Sequence, residues 1–433
     1  MPRPSTYPVF ERPSGWNALL PPRAPKTTAA LEAVYEYVVI GAGYTGLAVA
    51  RRLAELNSSA TILLLEATEI GEGTSGRNSG FVLTAPLTAA AKDAEPTEKA
   101  TRQLEIFDAG FEWLSRTVRD ASIRCDWNEA GKYHAAATDE GVSNIRALAR
   151  QYQVCGLRCD EIPQAEFARR IGSSYYKYAF HTGHNVFVQP AALVRGLADS
   201  LPANVTLLEQ APVLSVSGRG PFTVELSSRQ VRAHKMVIAN NGFAKRLGFL
   251  RNRIFNIYTY AGMTPELDDD ELAGHGTDTE WGILPAARAG TTLRRTSGRR
   301  FLVRSLQSYE ADRSGRQVDG TLEEIYRQRY PGLRSHRFEY VWGGALGLTM
   351  NAETCFGEIA DNLYVSAGCN GVGIMKGTVY GKLLAEQIMG LDSNDVRDVR
   401  RMNAPTWIPP DPVLRWGVTM AMNKRTRQAG AER

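Results

Sequence analysis

The stretch that most constrains this chain is Val38-Val39-Ile40-Gly41-Ala42-Gly43-Tyr44-Thr45-Gly46, followed by a helical run to Leu56 and a second apolar run, Thr61 to Leu65, that ends at Glu66. The order is strand, glycine turn, helix, strand, with Gly41, Gly43 and Gly46 in the spacing of a dinucleotide fingerprint. The first glycine permits a tight turn. The second lets main-chain amides approach a pyrophosphate, and the third lets helix and strand pack closely, so that the helix start faces an anion. Glu66 ends the second strand, where a carboxylate accepts the hydroxyls of an adenosine ribose. Gly41, Gly43, Tyr44, Thr45, Gly46, Glu66 and Ala67 are therefore expected to bind cofactor. This half-site fits NAD and FAD equally.

A chain of 433 residues exceeds one ordinary domain, and 43% hydrophobic with 22% charged residues is the balance of a soluble globular protein. A net charge of +5 with scattered basic residues gives no dedicated nucleic-acid surface, although it favours anionic substrates. Cys125, Cys155, Cys159, Cys355 and Cys369 are an odd number in a large chain, which argues for reduced thiols and a cytoplasmic location. No apolar run approaches the ~18 residues of a membrane helix, and the proline-rich N-terminus lacks the apolar core of a secretion signal. His181 and His184 stand close together but lack further ligands, so no metal site is expected.

Shortly after this half-site comes Gly71-Glu72-Gly73-Thr74-Ser75-Gly76-Arg77-Asn78-Ser79-Gly80, a loop whose backbone can approach a flat ligand and whose amides and hydroxyls can hold phosphate. A third glycine turn, Gly368-Cys369-Asn370-Gly371-Val372-Gly373-Ile374, follows the strand Leu363 to Ala367 and opens a helix reaching Met389. Amides at that helix start suit the negative charge of a reduced flavin, and Lys376 would add to the field.

Together these three motifs resemble the FAD-dependent amine and amino-acid oxidoreductases of the glycine oxidase and D-amino-acid oxidase superfamily. The Ser75 to Gly80 version is similar to that of the bacterial gamma-glutamylputrescine oxidoreductase and L-pipecolate oxidase group. The resemblance spans most of residues 35 to 390. It implies an α/β fold in which a Rossmann-like FAD-binding domain (35–86, 186–245 and 346–395) is covered by a substrate domain with a mixed or antiparallel sheet (87–185 and 246–345). Both are discontinuous, with an N-terminal arm (1–34) and a C-terminal tail (396–433).

The arm is expected to lie over the body or over a neighbouring subunit. The tail is expected to be solvated, with a subunit contact or membrane-surface docking as the other readings. Val205 to Leu208 and Ala211 to Leu214 are read as adjoining strands.

Further cofactor contacts implied by the resemblance are Gly73, Thr74, Ser75, Arg77, Asn78, Ser79, Gly80, Val213 beside the adenine, Asn240 and Gly242 at the end of the next strand, and Gly368, Asn370, Gly371, Val372, Gly373 and Ile374. Sarcosine-oxidase-type relatives place a substrate-binding lysine where this chain has Met375, which leaves Lys376 either in the site or turned away. Gly344 stands where covalently flavinylated relatives keep a cysteine, so dissociable FAD is expected.

The activity implied is oxidation of a C–N bond by hydride transfer to FAD, giving an imine, with oxygen or a quinone as acceptor. The substrate would be a cyclic secondary amino acid such as L-pipecolate or a polyamine conjugate such as gamma-glutamylputrescine. Lys376, Tyr258, Tyr260, Arg294 and Arg304 are the candidates for catalysis or for holding an anionic substrate group, each with a structural reading beside it. An NAD-dependent dehydrogenase and a non-catalytic nucleotide-binding subunit are the readings from other classes.

Overall fold

The computed structural model describes residues 5–85, 98–333, 335–402 and 404–433, the side chain of Lys99 excepted. The expected boundary between 86 and 87 and the first four residues of the arm lie outside the described residues.

Apolar runs too continuous for one-sided burial form the centre of the first sheet. Its order is Cys355–Ala360, Leu363–Ala367, Gln230–Ile238, Val34–Ile40, Ile62–Leu65, Val205–Leu208, parallel from Leu363–Ala367 onward. All four residues of Ile62–Leu65 are buried, as strands covered on both faces require. One face carries the helices Tyr44–Leu56, Pro190–Asp199 and Gly373–Ile388. The two glycine-started helices cross closely, since a Cβ on Gly381 would lie 2.5 Å from the Thr45 carbonyl oxygen and one on Gly377 2.9 Å from Tyr44 Cβ.

The second sheet is mixed, in the order Tyr340–Leu348, Phe255–Met263, Phe301–Tyr309, Thr292–Arg295, Trp281–Pro285, Lys132–Ala136, Tyr178–Thr182, Asp160–Ile162. Only the pairing of Trp281–Pro285 with Lys132–Ala136 is parallel. Thr296 to Arg299 make the hairpin turn between Thr292–Arg295 and Phe301–Tyr309. Helix Arg316–Arg329 packs on its outer side through Val318, Leu322, Ile325 and Tyr326.

Three expectations need correction. Helix Glu98–Asp120, grouped with the substrate segments by sequence position, buries Ile106, Phe107, Leu114 and Val118 in the core of the first sheet. Amphipathic spacing shows which face is buried but not against what. Residues 211–214 are not a strand; they are an extended link, and the strand is Ser215–Ser217.

The tail is docked on the body rather than free in solvent, although Trp407, Trp416 and Met420 stay exposed. Helix Val413–Ala429 lays Leu414 and Val418 on Phe255, Ile257 and Tyr309. Beyond it the Glu432 carboxylate accepts Ala137 and Thr138 amides, each at 2.8 Å, while Arg329 donates to the Arg433 carbonyl at 3.0 Å. The arm lies on the body: Trp16 is buried, with its indole N–H donated to the Asn78 carbonyl at 2.8 Å.

Candidate active site

At the first turn Gly41 has φ +100°, a conformation open to glycine, and a Cβ on Gly46 would sit 1.8 Å from the Gly41 carbonyl oxygen. Helix Tyr44–Leu56 has no side-chain cap at Gly43, which leaves its first amides to whatever occupies the space in front. The second loop closes on the first: Tyr44 N–H donates to Ser75 Oγ at 3.3 Å, and a Cβ on Gly43 would meet that oxygen at 2.6 Å. Glu66 accepts N–H bonds from Ala42 and Thr68 at 3.1 Å each and the Thr68 hydroxyl at 3.1 Å. Burial pushes its carboxyl up, and these donors oppose that shift.

In the 71–80 loop, side chains serve as braces. The Arg77 guanidinium donates to the carbonyls of Glu72 (2.7 Å), Arg12 (3.0 Å) and Gly343 (3.1 Å) and pairs with the Glu72 carboxylate. Asn78 ties Ser75 O to Gly80 N–H. Arg294, a candidate for substrate binding, is instead 1% exposed, paired with Glu280 at 2.8 Å and donating to the carbonyls of Ser79, Gly80 and Val188. It clamps the loop to the covering sheet.

At the third turn Asn370, with φ +52°, donates to Ala352 O and Gly368 O and accepts Thr349 N–H. Its side chain therefore joins the turn to the end of strand Tyr340–Leu348. Met375 is fully buried in the first core, whereas Lys376 borders the cavity, its ammonium 3.5 Å from the Ala352 carbonyl. Gly344, the position compared with an attaching cysteine, faces Arg77.

From the covering sheet, Arg304 and Thr259 meet at the cavity, Arg304 Nε donating to Thr259 Oγ1 at 3.3 Å. Burial alone brings the guanidinium down to about 10, so it is cationic at neutral pH. Among the described residues no carboxylate pairs with it. Tyr260 borders the cavity, but its hydroxyl shares 2.6 Å with Ser308 Oγ and accepts Arg313 N–H at 2.8 Å. Tyr258 does not line the cavity; it packs in the second core beside Phe10.

The space these elements enclose measures about 310 Å³. Of the expected cofactor contacts, Gly41, Gly43, Tyr44, Thr45, Glu66, Ala67, Gly73, Thr74, Ser75, Arg77, Asn78, Ser79, Val213, Asn240, Gly242, Gly371, Gly373 and Ile374 border it. Gly46, Gly80, Gly368, Asn370 and Val372 do not, and support the turns from behind. Residues missed by sequence reasoning include Asn241, Asn256, Thr259, Thr292, Cys369 and the arm residues Thr6, Tyr7 and Pro8. Asn241 was within reach, since it lies inside the Asn240 to Gly242 motif; Thr259 had no signal.

Among the described residues no group of three His, Cys, Asp or Glu is placed to hold a metal, and no helix is long and apolar enough to cross a membrane.

A flavin dinucleotide suits this enclosure. Two glycine turns leave space that a Cβ would fill, uncapped helix starts supply amides, and Asn240, bordering the cavity, has a buried Oδ1 without a hydrogen-bond partner among the described residues. Comparison with known proteins agrees. The chain is similar to the probable oxidoreductase OrdL of Rhizobium meliloti, 25% identical over 390 residues covering 86% of this chain and 87% of that one. The gamma-glutamylputrescine oxidoreductase of Escherichia coli is 26% identical over 362 residues, 81% and 83% of the two chains. In fold it is similar to glycine oxidase from Geobacillus kaustophilus, with a TM-score of 0.72 at 17% identity over 84% of this chain and 96% of that one. The family model for FAD dependent oxidoreductases, DAO, matches residues 36–387. The NAD-dependent and non-catalytic readings are thereby set aside: this chain belongs to the DAO family of FAD-dependent oxidoreductases and is an enzyme of that family.

Proposed function

We propose that the enzyme oxidises the C–N bond of an amino acid or secondary amine bearing a carboxylate, with L-pipecolate as the type substrate, to the corresponding imine. The observation that carries this reading is Arg304, a cavity-facing cation left without an acidic partner among the described residues. A substrate carboxylate satisfies it with charge-assisted hydrogen bonds, and Thr259 keeps the guanidinium aimed. Bound FAD supplies the two-electron acceptor for the C–H hydrogen beside nitrogen.

The chain's own groups orient and enclose. Lys376 and the amides opening helix Gly373–Ile388 place positive potential at one wall. Phe81, Leu83 and Leu284 provide apolar walls. On this reading the segments 35–86, 186–245 and 346–395 hold the cofactor, joined by helix Glu98–Asp120, and the covering sheet holds the substrate.

A second reading, oxidation of a polyamine conjugate, is favoured by the similarity to gamma-glutamylputrescine oxidoreductase. FAD is proposed to be dissociable, because Gly344 offers no thiol; acid precipitation should leave the yellow colour in the supernatant. Oxygen or a quinone is proposed as the acceptor, and the cytoplasm as the location.

The test is anaerobic bleaching of the flavin band near ~450 nm by a substrate panel. Bleaching by L-pipecolate or related secondary amino acids supports the first reading. Bleaching by gamma-glutamylputrescine alone supports the second, and bleaching by neither removes the substrate proposal.

A further inference from the structure

The N-terminal arm runs along the cavity rather than merely across the surface. Its root is fixed. Ser14 donates through Oγ to Gly76 O at 3.1 Å, Trp16 to Asn78 O at 2.8 Å, and Asn17 Nδ2 to Gly71 O at 2.7 Å. All three side chains are buried. Arg12 is bidentate with Asp319 at 2.8 and 3.1 Å, and Phe10 receives the Arg77 guanidinium at 3.8 Å from its ring centre. Trp16 also packs on Ala261, Met263 and Trp342, so the root holds the loop 71–80, the covering sheet and the helix behind it at once.

Farther toward the N-terminus the character changes. Val9 is 60% exposed, and among the described residues the tip is anchored to the body by a single side-chain bond, from Thr6 Oγ1 to Val213 O at 2.7 Å. Thr6, Tyr7 and Pro8 nevertheless border the cavity. The place they border is set by the link that carries Val213: Ala211 N–H donates to Glu66 O at 2.9 Å, which puts the link beside the acid that closes the second strand. The tip thus sits at the nucleoside end, while Arg304 and Lys376 serve the other.

We infer that residues Thr6 to Pro8 form a strap over the nucleoside half of bound FAD, with Tyr7 a further cofactor-contacting residue, and that release and uptake of FAD require the tip to lift while the root stays docked. This rests on FAD as the occupant of the cavity. A firmly anchored root beside a tip held, among the described residues, by one side-chain bond is what such opening needs, because that bond and the tip's own packing are what has to be given up. The aromatic ring and proline offer an apolar cover to a flat base.

The test compares the full chain with Tyr7→Ala and with a chain lacking residues 1–9, which keeps Arg12, Ser14, Trp16 and Asn17. Diluted holoenzyme is followed by the rise in flavin fluorescence as FAD leaves. Dissociation is expected to be roughly tenfold faster in Tyr7→Ala, the factor for loss of one aromatic contact, and faster still in the truncated chain. Unchanged thermal stability of the apoproteins would separate this from unfolding.

A second measurement needs no variant: elastase cleavage after the exposed Val9, next to the tip, should be slower in holoenzyme than in apoenzyme. Equal FAD dissociation rates in folded variants, or equal cleavage with and without FAD, would overturn the strap. Failure of the unaltered protein to bind FAD would instead overturn the identity of the occupant.

Discussion

The two walls of the cavity are made of different materials. On the nucleotide side the surface is largely backbone: three glycine turns, two helix starts and the carbonyls that Arg77 and Arg294 hold in place. On the covering side it is side chains projecting from strands, with Arg304, Thr259 and Thr292 at its polar centre. The first turn of the backbone wall, at Gly41, Gly43 and Gly46, has no room for an added atom, whereas a side-chain wall can be rewritten without refolding the protein. That difference fits one cofactor shared across a family whose substrates vary.

The contrast can be broken or sharpened by substitution. The largest effect is expected for Gly46→Val, whose Cβ would lie 1.8 Å from the Gly41 carbonyl oxygen. A loss of more than about 4 kcal/mol, read as a collapse in Tm and in flavin content, is expected, and a stable flavin-loaded variant would contradict the account of this turn.

Arg294→Met comes next. It strands Glu280, 7% exposed at its side chain, and should cost about 3–5 kcal/mol in denaturant unfolding while leaving kcat/KM of the folded fraction nearly unchanged. A selective loss of substrate affinity would return Arg294 to the substrate site.

Arg304→Met should do the opposite. A roughly 100-fold fall in kcat/KM for carboxylate-bearing substrates, about 2.7 kcal/mol, is expected with the flavin spectrum and Tm preserved. Equal loss with neutral amines would show that the guanidinium does not read a carboxylate.

The smallest effect tests the covering sheet away from the cavity. Lys132 is buried with its ammonium donated to the His184 carbonyl at 2.8 Å, and burial lowers it to about 7 from the ordinary 10.5. Between those values the unfolded chain holds the extra proton, so this residue makes stability rise with pH from 7 to 10.5. Lys132→Met should therefore stabilise by about 1–2 kcal/mol below pH 7, with the gain fading toward pH 10.5, as unfolding at several pH values would show.

The backbone wall was readable because only glycine fits the turns that make it, so the need for a conformation is written as a residue type. Gly41, Gly43, Gly46 and the 71–80 loop all fall where the motifs put them. The side-chain wall was less readable for an equally physical reason. Strand Phe301–Tyr309 carries one extra residue, Leu306 at φ +60°, opposite Thr259 and Tyr260 of its neighbour, so alternation counted through that point no longer assigns faces. Tyr258 and Tyr260 looked like a matched pair, yet the first is core and the second turns its hydroxyl toward Ser308. Arg294 and Arg304 share a residue type and a sheet, and only the presence of Glu280 beside one of them tells clamp from binding group. The docked tail was missed because its partners, Phe255, Ile257, Ala137 and Thr138, are remote in sequence.

The crossing of helices Tyr44–Leu56 and Gly373–Ile388 at Gly377 and Gly381 has a diagnostic consequence. Gly381 does not border the cavity, yet any side chain there would wedge apart the two helices whose first turns do. A lesion at this hidden seam would present as weak flavin retention in a spectrum or assay, and would be mistaken for damage to the ligand's own contacts although it acts by changing the spacing of the two supports.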